Sequence, residues 1–127
     1  MNIETFYFNP YRECTYVLVN DHKQAVIIDA GMYDSREQQR FAQYIQSNQL
    51  TPVALLITHA HPDHVCGQEY VEKTYGLSAI IRPAEGSLPI EGFDIQVIST
   101  PGHKEDCVCY YLPEENILFT GDTLFQE

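Results

Sequence analysis

Apolar and polar residues alternate over residues 3–8, "IETFYF", and a denser apolar run follows at residues 14–19, "CTYVLV". The polar stretch "NDHKQ" separates that run from "AVIID" at residues 25–29, which Gly31 closes. This spacing predicts three strands, the second and third joined by a tight turn. Asp34 with Glu37 three residues on has the form of a capping box. Phe41, Tyr44 and Ile45 then recur at helical spacing before Pro52, which predicts a helix. "VALLI" at residues 53–57 is a continuous apolar run of strand length, as a central strand buried on both faces requires. A second helix is expected over residues 65–75, ended by Gly76. Further strands are expected over 78–82, 93–99, 107–112 and 117–120, with "PEEN" turning between the last two. Strands, helix, strand, helix and strands in that order give a mixed class, α/β or α+β. With no internal repeat or linker-like tract, residues 1–127 read as one unit.

Charge narrows the partners. Seven Lys and Arg against eighteen Asp and Glu leave a formal net charge of −11. Phosphate backbones need a basic patch, so nucleic acid is not expected as a partner. An acidic chain does tolerate bound dications, each of which offsets two negative charges. No run of eighteen apolar residues predicts a membrane span, and "MNIETFYFNPYREC" lacks the basic and apolar regions of a signal peptide. Four cysteines without such a signal read as reduced thiols in a cytoplasmic protein. Cys107 and Cys109 form a C-x-C pair, read as buried thiols on one strand face rather than as metal ligands.

The chemistry concentrates in "LLITHAHPDHVCG", residues 55–67, where three of the five histidines and an aspartate fall within six positions. His59 and His61 lie two apart, so on an extended segment leaving a strand they point to one side and can share a metal ion. Asp63 and His64 follow Pro62, where the chain turns, and can face the first pair from another direction. Imidazole with carboxylate and no thiolate pattern favours zinc, iron or manganese. A histidine-rich solvated loop is the bland alternative. Two further segments weigh against it: "STPGHKEDC" puts His103, and "LFTGDTLF" puts Asp122, directly after predicted strands. Three times a strand ends and a ligand-type residue follows, as sites built at strand ends require. His22, in the polar "NDHKQ" turn, reads as plain surface, and Lys104, Glu105 and Asp106 as a solvated loop.

Together "THAHPDH", "PGH" and "GDTLF" resemble the metallo-β-lactamase superfamily with its H-x-H-x-D-H signature. "NPYRECTYVLV" and "VIIDAG" resemble the first strands of its glyoxalase II-like (hydroxyacylglutathione hydrolase-like) members. The resemblance implies an αββα sandwich of two similar halves, of which these residues match the first half plus the start of the second sheet. It implies that His59, His61 and His103 hold one metal, that Asp63 and His64 hold a second, and that Asp122 bridges them. Asp29, at the strand-end "D-x-G", and Thr58 would support the ligands from behind. The implied cofactors are two divalent ions, zinc first with iron and manganese left open. The second site would be weak, because no histidine follows Asp122 to complete it.

The implied activity is hydrolysis of small acyl compounds, thioesters foremost, by attack of a metal-bound hydroxide that Asp63 orients and whose proton it shuttles. Substrate-binding residues are not implied. Two alternatives stand beside it. One is a persulfide dioxygenase with a single iron on His59, His103 and Asp122. The other is a non-catalytic metal-binding half-domain that needs a partner or a C-terminal part. A half fold is expected to leave "VALLI" and "CVCYYL" short of cover, and so to self-associate or be completed by a further segment. The β-lactamases proper carry a thiolate at the second metal, which is missing here, so antibiotic hydrolysis is not expected.

Overall fold

The structure, a computed structural model, describes residues 1–10, 12–58, 66–81, 83–99, 108–120 and 124–126. Strands β1 (Asn2–Phe8), β2 (Glu13–Val19) and β3 (Gln24–Ile28) precede helix α1 (Ser35–Ser47) and strand β4 (Thr51–Ile57). Helix α2 (Gln68–Tyr75) and strand β5 (Ile80–Ile81) follow. The remaining strands are β6 (Gly86–Leu88), β7 (Ile95–Ser99), β8 (Val108–Leu112), β9 (Ile117–Phe119) and β10 (Leu124–Gln126). They form two sheets of five strands, ordered β1-β2-β3-β4-β5 and β10-β9-β8-β7-β6. The second sheet is antiparallel throughout. In the first, β3, β4 and β5 run parallel, so the carboxyl ends of all three meet one edge.

Two buried clusters sort the sequence by period. Alternate residues of the first sheet, Tyr16, Leu18, Val26, Ile28, Ala54 and Leu56, meet Ile95, Val97, Val108, Tyr110, Leu112, Ile117 and Phe119 of the second. The intervening residues, Val17, Val19, Ala25, Ile27, Leu55 and Ile57, meet Phe41 and Ile45 of α1 and Val71 of α2. Period two in the strands and i, i+4 in α1 thus build a helix layer, a sheet and a second sheet in order. Each fully buried Leu, Ile or Phe adds roughly 1.5–3 kcal/mol, so the two interfaces dominate the stability.

Several expectations need adjustment. "VALLI" is not short of cover: Leu55, Leu56 and Ile57 are at most 1% exposed, because the second sheet packs on one face of β4 and the helices on the other. "CVCYYL" is likewise covered on its inner face, where Val108, Tyr110 and Leu112 are buried. Strand β4 takes in Pro52, which the pattern placed before it, and the register against β3 shifts between Ala25 and Val26. A proline lacks the ladder N–H, so the pairing skips a residue there. Helix α2 begins at Gln68, later than the expected 65, while Gly76 ends it in the left-handed conformation (φ 68°) as expected. The strand expected over 78–82 shrinks to Ile80–Ile81, and β6 and β10 were not anticipated. Among the described residues no helix is long and apolar enough to cross a membrane.

The capping box at α1 forms on one side only. Asp34 accepts from the Glu37 N–H at 2.9 Å, but Glu37 does not return to Asp34. Its carboxylate instead accepts from Tyr33 N at 2.7 Å and from Asn9 N at 3.0 Å. The helix start is therefore tied to the β1–β2 hairpin.

Two measurements test the packing. At Gly67 an added Cβ would overlap the Met32 thioether and come within 3.0 Å of the Met32 carbonyl oxygen. Met32 is fully buried and cannot swing aside into solvent. Gly67→Ala should therefore cost about 1–3 kcal/mol in urea unfolding. An unchanged midpoint would show that this helix start has room. The second concerns alkaline pH. Burial, with Tyr70 beside it, pushes the Tyr75 hydroxyl up to about 12, and burial chiefly raises Tyr16 and Tyr110 as well. The folded state thus keeps protons that the unfolded state sheds from pH 10 or so. Their contribution is present below that pH and lost as pH rises through the folded values. Stability from this source should be level to about pH 10 and fall above it, read by urea midpoints against pH.

Candidate metal centre at the converging strand ends

Asp29 leaves β3 with φ 61°, a left-handed conformation that aspartate tolerates better than most residues. Its N–H donates to the Leu56 carbonyl at 2.8 Å, so the turn stays pinned to β4. Its carboxylate is fully buried and accepts twice from Thr58, from the backbone N–H at 2.8 Å and from Oγ1 at 2.7 Å. A carboxylate out of water demands such donors, since an unpaired buried charge costs several kcal/mol or more. Thr58 is itself 1% exposed and is the last described residue before the histidine cluster.

The second sheet is fastened to the same point. Val108 N, which opens β8, donates to the Thr58 carbonyl at 2.8 Å. Two residues on, the Tyr110 hydroxyl donates to the Ile57 carbonyl at 2.7 Å. Burial first, and then the charge of Asp29, raise the Tyr110 hydroxyl well above its ordinary range, so it stays a donor. Ser99, the end of β7, pairs with Val108, and Phe119, the end of β9, pairs with Tyr110. On the helix side, Gly67 N donates to the Ala30 carbonyl at 2.7 Å, and Gly31 N donates to Thr15 Oγ1 at 3.1 Å.

His59, His61, Asp63, His64, His103 and Asp122 lie outside the described residues, as do Cys107, Lys104, Glu105 and Asp106. The structure describes where their segments attach. Residues 59–65 leave from Thr58 and return at Cys66, residues 100–107 leave from Ser99 and return at Val108, and residues 121–123 leave after Thr120. The bonds above gather those attachment points at one edge, where the parallel strands end. Of the expected supporting pair, Asp29 and Thr58 are in direct contact. His22 is exposed in the turn at the other end of β2, and Cys109 is buried. The pattern missed Tyr110, Val108 and Gly67 as fasteners. Their signal was weak: an apolar-strand tyrosine reads as core, and a backbone N–H has no signature at all.

The donor set suits a metal pair. Four imidazoles and two carboxylates offer nitrogen and oxygen only, a mixture fitted to zinc, iron or manganese.

The sequence profile of the metallo-beta-lactamase superfamily matches residues 10–97 and 86–127. The chain belongs to that superfamily. A hydroxyacylglutathione hydrolase of Hydrogenovibrio crunogenus is 38% identical over 118 residues, covering 83% of this chain and 41% of that protein. The crystal structure of BLEG-1 B3 metallo-beta-lactamase superposes with a TM-score of 0.86 at 30% identity, over 98% of this chain and 74% of that one. TTHA1623 in a di-iron-bound form gives 0.77 at 26% identity, over 97% and 73%. The chain spans about half the length of the curated hydroxyacylglutathione hydrolases it matches, between 41% and 53%. A superfamily built on bound divalent metal, with an iron-holding neighbour, agrees with the donor set.

The Asp29–Thr58 contact can be tested directly. Asp29→Asn keeps the shape but offers one acceptor oxygen to two donors, and should destabilise by about 2–4 kcal/mol in chemical denaturation. Thr58→Val should cost less, about 1–2 kcal/mol, because the backbone N–H bond survives. Equal, negligible losses would show that the junction does not hold the edge together.

Proposed function

We propose that this chain carries the metal-binding portion of a hydrolase for small acyl compounds, with thioesters as the leading substrate class. The junction of Asp29, Thr58 and Val108 supports this reading, since it brings together the ends of two segments that carry candidate ligands, 59–65 and 100–107. His59, His61 and His103 would hold one divalent ion, Asp63 and His64 a second, with Asp122 between them. Such ions lower the pKa of coordinated water to about 7 and polarise a carbonyl oxygen. Asp63 supplies the proton acceptor: a carboxylate oxygen takes the proton of the attacking water and can return it to the leaving thiolate. Asp29 and Thr58 hold the backbone from which His59 departs, so they position ligands without touching substrate.

Thioesters lead because the curated relatives are named for them, and because a thiolate leaves readily and asks little of the general acid. The four cysteines read as reduced thiols, which supports a cytoplasmic setting. Net charge of −11 again argues for small substrates over nucleic acid.

Metal quantification with turnover tests the reading. Protein reconstituted with zinc, iron or manganese should retain divalent ions. His61→Ala should lose most of the bound metal, with thioester hydrolysis falling on the order of a hundredfold or more. Full metal retention in that variant, or β-lactam turnover without thioester turnover, would overturn the proposal. One iron per chain with oxygen consumed on a persulfide would replace it by the dioxygenase reading.

A further inference from the structure

The start of β2 turns two polar side chains into the helix-side layer. Val17 and Val19 of β2 pack there with Met32 and Val71, and alternation puts Glu13 and Thr15 on the same face. Thr15 is fully buried and Glu13 is 1% exposed. A carboxylate in an apolar layer is costly unless donors reach it. Thr15 Oγ1 donates to Glu13 Oε2 at 3.0 Å, and Gly31 N donates to Thr15 Oγ1 at 3.1 Å. A threonine hydroxyl has one proton. Given to Glu13, it leaves the lone pairs of the oxygen for the Gly31 N–H.

Residues 30–32 are the bracket against which the histidine-bearing segment returns. The Ala30 carbonyl accepts from Gly67 N at 2.7 Å, and Met32 lies so close to Gly67 that a Cβ there would overlap its thioether. Asn9 Nδ2 donates to the Gly31 carbonyl at 3.1 Å, so Gly31 is held through both its N–H and its carbonyl. The N–H side depends on Thr15, and Thr15 on Glu13. Without an acceptor at residue 13 the buried hydroxyl would turn its proton elsewhere, and Gly31 would lose its partner. Asp63 and His64 stand four and three positions before Gly67. His59 instead directly follows Thr58, which Asp29 holds independently of this relay.

Resting on the metallo-hydrolase reading above, we propose that Glu13, acting through Thr15, is a positioning residue for the second metal site, the one assigned to Asp63 and His64. It acts on those ligands only through the backbone to which their segment returns. Its task is to accept a hydrogen bond, so a neutral acceptor of the same reach serves in its place. The departure end of the segment, held by Asp29 and Thr58, serves the first ion. The two ends of one ligand segment are thus anchored by separate buried carboxylates.

The test titrates the metal-free full chain with cobalt(II), followed by visible absorption and by competition with a chelating dye. The wild type should take up two ions in separable steps. Glu13→Leu and Thr15→Val should weaken the second step roughly tenfold or more and leave the first within about threefold. Glu13→Gln and Thr15→Ser, which keep the acceptor and the hydroxyl, should restore most of the second step. In the metal-free protein, amide exchange at Gly31 and Gly67 should quicken in Glu13→Leu and Thr15→Val, while exchange at Thr58 should not. Ile45→Ala, which loosens the far end of α1, controls for lost stability and should not separate the two steps. Equal weakening of both steps, no weakening in either variant, or a loss in Glu13→Gln as full as in Glu13→Leu would overturn the assignment. So would a wild type that takes up fewer than two ions. Two-step uptake that depends on Glu13, without thioester turnover, would support the assignment and remove the hydrolase reading.

Discussion

A carboxylate buried at the end of β3 has to find hydrogen-bond donors, and Asp29 finds them on Thr58. That demand sets the relation between the two parallel strands more sharply than apolar packing does. Leucine and isoleucine side chains on β3 and β4 would tolerate a slip of register with modest loss, but a slip that parts Asp29 from Thr58 takes two donors from a buried carboxylate. The same threonine accepts from Val108 through its carbonyl. One residue thus fastens the parallel strands to each other and the second sheet to the first. Tyr110 repeats the inter-sheet tie one residue earlier on β4. The edge from which the histidine segment departs is in this way built from fixed backbone.

The helix side of the edge is secured by a different economy of donors. Glu37 begins as a capping residue but spends its carboxylate on Tyr33 and Asn9, backbone groups outside the helix. An intact capping box would stabilise α1 and nothing else. The altered one links α1, the loop leaving β3 and the β1–β2 hairpin tip. Arg40 on the same helix lies over the rings of Phe6 and Phe8, at 5.4 and 5.2 Å, so β1, an edge strand, is held along its length. The positive φ values at Asn9 and Arg12 show that the tip is bent to fit its docking site.

How much of this could be read from residues depends on the kind of signal each feature leaves. β2, β3, β4 and α1 were legible because period two and period 3.6 leave long, redundant patterns. β6 and β10, each three residues, are too short to show a period at all. Pro52 looked like a boundary because proline opposes strand pairing, yet at the first paired positions of β4 a register shift absorbs it. The ligand-type residues stood out since histidine is uncommon and clustered imidazoles have few structural uses. The scaffolding around them did not. Asp29 was visible through its place in a strand-end pattern, but the inter-sheet ties of Val108 and Tyr110 are tertiary facts with no local trace. Glu37 was seen at the right position and in the wrong partnership, because a capping box names its acceptor by spacing while the fold supplied nearer donors.

Charge acts on this site at two length scales. Over distances beyond about 10 Å at ordinary salt, surface charges are screened, so the net charge of −11 contributes little to any one contact. What it does set is the cost of assembling like-charged groups: carboxylates gathered near an edge repel, and bound dications relieve that repulsion. The acidic composition and a metal-ligating edge are thus mutually consistent. Closer in, geometry decides. The paired donors and acceptors of the Asp29–Thr58 junction let a small sandwich hold polar groups at its edge without loosening its core.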